Sequence, residues 1–148
     1  MLQCWDTTTG FLTHSSTLNI PQQKPVSLVL SASGTTSIIV TIEDRKTSLH
    51  IVSFDNGGAV YEVINCGIWC WSKENFQLVA SFPNEQKIAY LTVDAMAIRD
   101  IRAKKDIFYH RFPRPHEPSN IMITPDGKTS ITIHPGSQVI RTWSVEDL

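Results

Sequence analysis

The sequence predicts an all-β chain, a repeated unit of four short antiparallel strands used about three and a quarter times. Two observations predict it. Leu28-Val29-Leu30-Ser31, Leu78-Val79-Ala80-Ser81 and Ile121-Met122-Ile123-Thr124 align without a gap and each open an apolar run. Each is followed by a turn, around Gly34, Asn84 and Gly127, and then by a second run: Ile38 to Ile42, Ile88 to Val93, and Ile131 to Ile133. The offsets are 50 residues (28 to 78) and 43 residues (78 to 121). A period of roughly 40–50 residues with β-rich runs in every unit signals a propeller-type array.

The elements follow in order. Residues 1–18 carry a third and a fourth strand, Leu2 to Thr7 and Phe11 to Leu18, turning at Gly10. A Pro/Gln-rich connector runs from Asn19 to Pro25. Residues 26–63 form a full unit whose last hairpin turns at Asn56-Gly57-Gly58. Residues 64–75, with Trp69 and Trp71, read as a long connection between units. Residues 76–112 form a second full unit ending at Ile107-Phe108-Tyr109, and residues 119–147 supply three strands of a last one. Residues 94–105 also carry helix-favouring Ala, Met and Arg, but the repeat register makes them strand. Asp126-Gly127 is a turn dipeptide, because Gly tolerates the positive φ that tight hairpins demand. The first strands of each unit are almost continuously apolar, as strands covered on both faces are. On that reading Ile131 is buried and Ile131→Asp abolishes folding.

The unit ends sharpen the pattern. Ile140-Arg141-Thr142-Trp143-Ser144 matches Leu2-Gln3-Cys4-Trp5-Asp6, and Ile51-Val52-Ser53-Phe54-Asp55 fits the same slot; Ile98-Arg99-Asp100-Ile101-Arg102 fits it more weakly. Thr124-Pro125-Asp126-Gly127-Lys128 precedes the last of these positions, and Trp5-Asp6 is a Trp-Asp dipeptide. Together these features resemble a WD40 repeat over nearly the whole chain. The resemblance implies blades of four antiparallel strands around a central channel, with the aromatic at Trp5, Phe54 and Trp143 filling space between blades. The chain departs from the family pattern. No Gly-His pair precedes a first strand. The Asp expected in the second-to-third strand turn is Asp44 or Asp94 in two units and is absent from His134-Pro135-Gly136-Ser137.

Composition bounds the function. With 148 residues the chain is one domain by length, and 41% apolar with 18% charged residues is enough to fold. A net charge near −1 makes no electrostatic case for nucleic acid or an anionic membrane. No run of about 18 apolar residues predicts a membrane helix. Three cysteines without framework spacing suit a reducing compartment, so the expected location is cytosolic or nuclear.

Candidate chemistry is sparse. Cys66 and Cys70 lack the second ligand pair a zinc site needs and read as thiols packed near Trp69 and Trp71. His110 and His116 flank a Pro-rich connector with only Glu117 nearby and read as surface. His14, His50 and His134 share no spacing. Arg99, Arg102, Lys104, Lys105, Arg111 and Arg114 make six of the thirteen basic residues. They offer a patch for phosphate or acidic peptide, but Asp100 and Asp106 interleave, and a solvated edge that discourages edge-to-edge pairing reads better. No nucleophile elbow, phosphate loop or H-E-x-x-H appears.

No catalytic, cofactor-binding or metal residue is therefore assigned, and no enzyme or cofactor is expected. The expected function is that of a WD40-like scaffold binding a protein or peptide partner. Its partner surface is the loops Pro21 to Pro25, Glu43 to Lys46, Asp94 to Ala97, Pro113 to Ser119 and His134 to Gln138. The alternative is the propeller portion of a larger enzyme, or the sensor end of an ATP-hydrolysing switch protein. The two opening strands and three closing strands either pair to close a four-unit ring or leave a slice of a larger one. The count favours the slice, whose open faces invite self-association.

Overall fold

The computed structural model describes residues 2–17, 24–54, 59–68, 77–113, 118–146 and 148. Thirteen strands among the described residues form four antiparallel sheets. The first holds β1 (Leu2–Trp5) and β2 (Leu12–Ser16). The second holds β3 (Lys24–Leu30), β4 (Thr36–Glu43), β5 (Lys46–Ser53) and β6 (Ala59–Ile68). The third holds β7 (Val79–Ser81), β8 (Lys87–Leu91), β9 (Ala95–Asp100) and β10 (Lys105–Arg111). The fourth holds β11 (Asn120–Ile123), β12 (Thr129–His134) and β13 (Val139–Ser144). In each sheet the spatial order is the chain order, so every sheet is a meander.

The repeat is visible in the backbone. Three six-residue turns join the first and second strands of successive sheets: Ser31 to Thr36, Phe82 to Lys87 and Thr124 to Thr129. Each makes the same two bonds: the first residue donates to the sixth, and the fourth donates back to the first. The fourth position needs left-handed backbone, with φ 75° at Gly34, 58° at Glu85 and 72° at Gly127. Glycine adopts that region freely. At Gly127 a Cβ would also come within 3.2 Å of Pro83 Cδ in the neighbouring turn. The β4–β5 hairpin turns on Asp44 and Arg45, both at positive φ (47° and 67°), the pair of conformations a two-residue type I′ turn demands.

The sheets pack face to face in chain order. β7 lies beside both β3 and β11, and Ile121 N–H donates to the Gln77 carbonyl (2.9 Å) across that boundary. One core runs through the second, third and fourth sheets, and includes Ile38, Leu49, Ile88, Leu91, Ile98 and Ile121. A smaller core of Ile39, Val52 and Phe54 packs against Cys4 of the first sheet.

Several sequence expectations need correction. β6 runs on to Ile68, so residues 64–68 extend the strand instead of connecting units; Trp69 to Asn75 lie outside the described residues, as does the Asn56-Gly57-Gly58 turn. β3 begins at Lys24, so Pro25 is in a strand, at the sheet edge where proline is tolerated. β3 is not sandwiched: Leu28 and Leu30 are each 54% exposed, because the first sheet has, among the described residues, two strands and no inner ones to cover them. Trp5, expected between units, is also exposed. Ile131 is only half-buried; β12 turns Ser130, Thr132 and His134 inward instead. The first and fourth sheets stay separate and do not pair into one. The helical alternative for residues 94–105 is excluded by β9 and the turn after it.

Candidate functional site: aligned turns and inter-sheet side chains

Meander topology sorts the turns to two ends. The β4–β5, β8–β9 and β12–β13 turns share one end, and the three congruent six-residue turns share the other. At the first end Asp94 Oδ2 accepts from Arg111 Nε (2.6 Å), and the Asp94 carbonyl accepts from Phe112 N–H (2.7 Å). That bond to Asp94 holds the Arg111 guanidinium above its ordinary pKa. The β12–β13 turn is one 3-10 turn, Pro135 to Ser137, closed by Gln138 at φ 55°. Of the expected partner loops, Glu43 to Lys46, Asp94 to Ala97 and His134 to Gln138 are described, but Ala95 to Ala97 belong to β9 and are fully buried, as is His134 at the end of β12, so only Asp94 and Pro135 to Gln138 of the last two face outward. Residues 21–23 and 114–117 lie outside the described residues. At the opposite end, Glu85 accepts from both the backbone N–H and the hydroxyl of Ser33, tying the second sheet's turn to the third's.

The basic cluster of the sequence does not assemble in space. Arg99 turns inward, and its Nη2 and Nε take the Glu62 carboxylate at 2.5 and 3.1 Å, bridging the second and third sheets. Its Nη1 also reaches Asp106 Oδ1 at 3.0 Å, and these carboxylates raise the Arg99 pKa. Tyr90 Oη donates to the other Asp106 oxygen (3.0 Å); burial, then the Asp106 charge, push its pKa up. Arg102, Lys104 and Lys105 sit at or just after the β9–β10 turn, and Arg111 at the opposite end of β10. Arg114 lies outside the described residues.

The thiol and imidazole candidates take packing positions. Cys66 is buried, and desolvation pushes its pKa up to about 12. Cys70 and His116 lie outside the described residues. His110 is half-buried, its ring 4.5 Å from Trp143 and 5.2 Å from Phe112. Among the described residues no three His, Cys, Asp or Glu side chains converge as a metal site would require.

Two buried pairs that the sequence treats as unrelated share one chemistry. His50 Nε2 lies 2.9 Å from Thr41 Oγ1, and His134 Nε2 lies 2.9 Å from Thr132 Oγ1. In the fourth sheet Trp143 Nε1–H also donates to Thr132 Oγ1 (3.1 Å). Phe112 packs edge-on to His134, with centroids 4.7 Å apart. Trp143 thus fills the space between the third and fourth sheets, while Phe54 is buried in the smaller core. No sequence spacing signals these pairs, because the Thr and His partners sit nine residues apart in one case and two in the other.

No family model matches the chain. No curated protein matches it either. Among solved structures it is similar to the hydrazine synthase of Kuenenia stuttgartiensis, with a TM-score of 0.61 at 20% identity. The match covers 82% of this chain and 32% of that one, so this chain spans about a third of its neighbour's length. At that identity the likeness is one of fold.

Proposed function

We propose that the chain is a divergent WD40-like propeller-type array that acts as a non-catalytic scaffold for protein–protein interaction. One observation supports this reading most: successive meander sheets stack with their first strands side by side, so equivalent turns line up at each end. Loops held on a rigid β platform are where binding residues concentrate. The docking surface is the end that carries Glu43 to Lys46, Asp94 and Pro135 to Gln138. A protein partner in the cytosol or nucleus fits the near-neutral charge and the cysteine usage. The rival, a propeller portion of a larger enzyme or switch protein, gains nothing from the structural neighbour, whose likeness concerns the fold alone.

The test is photo-crosslinking in cells from single positions at the two ends. Glu43, Asp94 and Gln138 are expected to give discrete protein adducts, while Asn84 and Asp126 at the opposite end do not. Equal labelling from both ends, or none from the first, overturns the reading.

A further inference from the structure

Arg99 and Arg111 lie on neighbouring strands of the third sheet, β9 and β10, and their guanidinium groups are satisfied to different extents. Arg99 holds two carboxylates within the chain: Nε and Nη2 take Glu62 at 3.1 and 2.5 Å, and Nη1 takes Asp106 at 3.0 Å. Arg111 holds one. Its Nε donates to Asp94 Oδ2 (2.6 Å), while Nη1 and Nη2 make no hydrogen bond or ion pair with a described residue. The Arg99 side chain is 15% exposed and that of Arg111 is 74% exposed. A guanidinium presents its N–H donors in a planar fork, and the edge formed by Nη1 and Nη2 takes a carboxylate through two parallel bonds. In Arg111 that edge is open to solvent, at the end of the sheet that carries the docking turns.

Asp94 holds the group in place. Its carbonyl accepts from Phe112 N–H (2.7 Å), and Phe112 is buried, so the carboxylate stands on a fixed turn. An arginine already oriented by one carboxylate loses less side-chain freedom when it takes a second. Tyr109, two residues earlier on β10, is exposed, and pairing with β9 is continuous from Tyr109 to Arg111. The two side chains therefore share one face, about 7 Å apart along the strand. The neighbouring β4–β5 turn adds Arg45 and Lys46 but also Glu43 and Asp44, so it contributes no net charge. Bulk charge does not select a partner at this end, and the Arg111 edge does.

We propose that Arg111 reads an Asp or Glu side chain of a partner protein, while an apolar side chain two residues away in the same extended segment packs on Tyr109. The proposal rests on the interaction-module reading and names the partner chemistry at that same end. Asp94 sets selectivity as well as geometry. A phosphate dianion would bring more negative charge beside Asp94 than a single carboxylate does, so the site favours the carboxylate.

The probe is a fluorescein-labelled peptide, Thr-Leu-Thr-Glu-Thr-Leu-Thr, which sets Leu against Tyr109 in either direction when Glu meets Arg111. Anisotropy is expected to show saturable binding. Exchanging the peptide's Glu for Gln is expected to weaken it about tenfold or more, because the charge-assisted pair is lost. Arg111→Lys keeps the charge but not the fork and is expected to weaken binding too. Arg111→Glu abolishes it, and exchanging the peptide's Glu for Lys restores it. The Arg111 side chain is largely exposed, so these variants are expected to melt like the parent. Absence of saturable binding, equal binding of the Gln peptide, or binding unchanged by Arg111→Lys would each overturn the proposal. So would a chain that sediments as a dimer and becomes monomeric with Arg111→Glu, since the carboxylate would then come from a second copy. Crosslinks from Glu43 and Gln138 without peptide binding keep the docking end and overturn its reading by Arg111. Arg111-dependent peptide binding without those crosslinks upholds the carboxylate site and removes the turn surface around it.

Discussion

The third and fourth sheets are built from the same repeat and bury opposite kinds of residue. In the third, neighbours cover both faces, and Ile88, Leu91, Met96 and Ile98 have no exposed surface at all. In the fourth, one face is covered. β12 turns Ser130, Thr132 and His134 to that face and leaves Ile131 and Ile133 half-buried on the other. Strand alternation fixes which residues share a face, but the presence of a neighbouring sheet decides which face is the inside. Polar residues can line the inside here because they satisfy one another: Trp143 and His134 both bond Thr132.

The strongest test of this contrast is a paired substitution. Ile98→Asp places an unpaired carboxylate in the fully covered sheet and is expected to cost more than about 4 kcal/mol, enough to lose folded protein. Ile131→Asp, at an apolar position of similar appearance, is expected to cost about 1–2 kcal/mol and leave a cooperative transition. Denaturant unfolding of the two variants checks this. Equal loss of fold in both would mean that Ile131 faces an interior after all.

The next largest effect probes the polar interior directly. Thr132→Val keeps the shape of the side chain and removes the oxygen that Trp143 and His134 share. Loss of the bonds that both groups make to this oxygen is expected to cost about 1–3 kcal/mol. A variant as stable as the parent would show that the network is incidental to the packing of the fourth sheet.

The contrast also explains what could be read in the sequence. The strands and turns were legible because the apolar runs and the six-residue turns repeat in register, even where Glu85 stands in place of glycine. The inside of each terminal sheet was not legible, because Leu28 and Ile131 are as apolar as Ile38 and Ile98 and only a neighbour distinguishes them. The sequence pattern ends the unit at residue 63, since Asn65-Cys66-Gly67 breaks the apolar run. β6 continues through a register shift opposite Thr47 and Ser48 that keeps it paired. Of the candidate site, the turns were legible from Asp44 and Asp94. The fate of Arg99 was not, since its partner Glu62 lies 37 residues away on another sheet.

The second sheet repeats the polar device with a smaller, pH-dependent effect. Burial holds His50 below its ordinary pKa of about 6.5. The unfolded chain therefore takes up the proton first as the solution acidifies. The contribution of neutral His50 is complete above about pH 6.5 and is lost as the pH falls from there toward the depressed folded value. Melting temperatures measured between about pH 7.5 and 5.5 are expected to decline more steeply for the parent than for His50→Gln. Parallel slopes would mean that the Thr41–His50 pair is open to water in solution.

The smallest effect lies at the rim of the fourth sheet, where Lys128 Nζ meets Glu146 Oε1 at 2.5 Å with side chains 57% and 55% exposed. The distance is short, but both groups stay hydrated, and exposed pairs of this kind contribute about 0–1 kcal/mol. Lys128→Ala is expected to change stability by less than about 0.5 kcal/mol, and the difference should vanish in 1 M salt, where screening acts within about 3 Å. The Val145 N–H bond to the Lys128 carbonyl is a backbone bond that the substitution retains, so the phase of the β12–β13 ladder is kept. A loss of more than 1 kcal/mol that persists in salt would show that the Lys128 side chain does more than meet Glu146, and that the end of β13 is held as firmly as the strands of the third sheet.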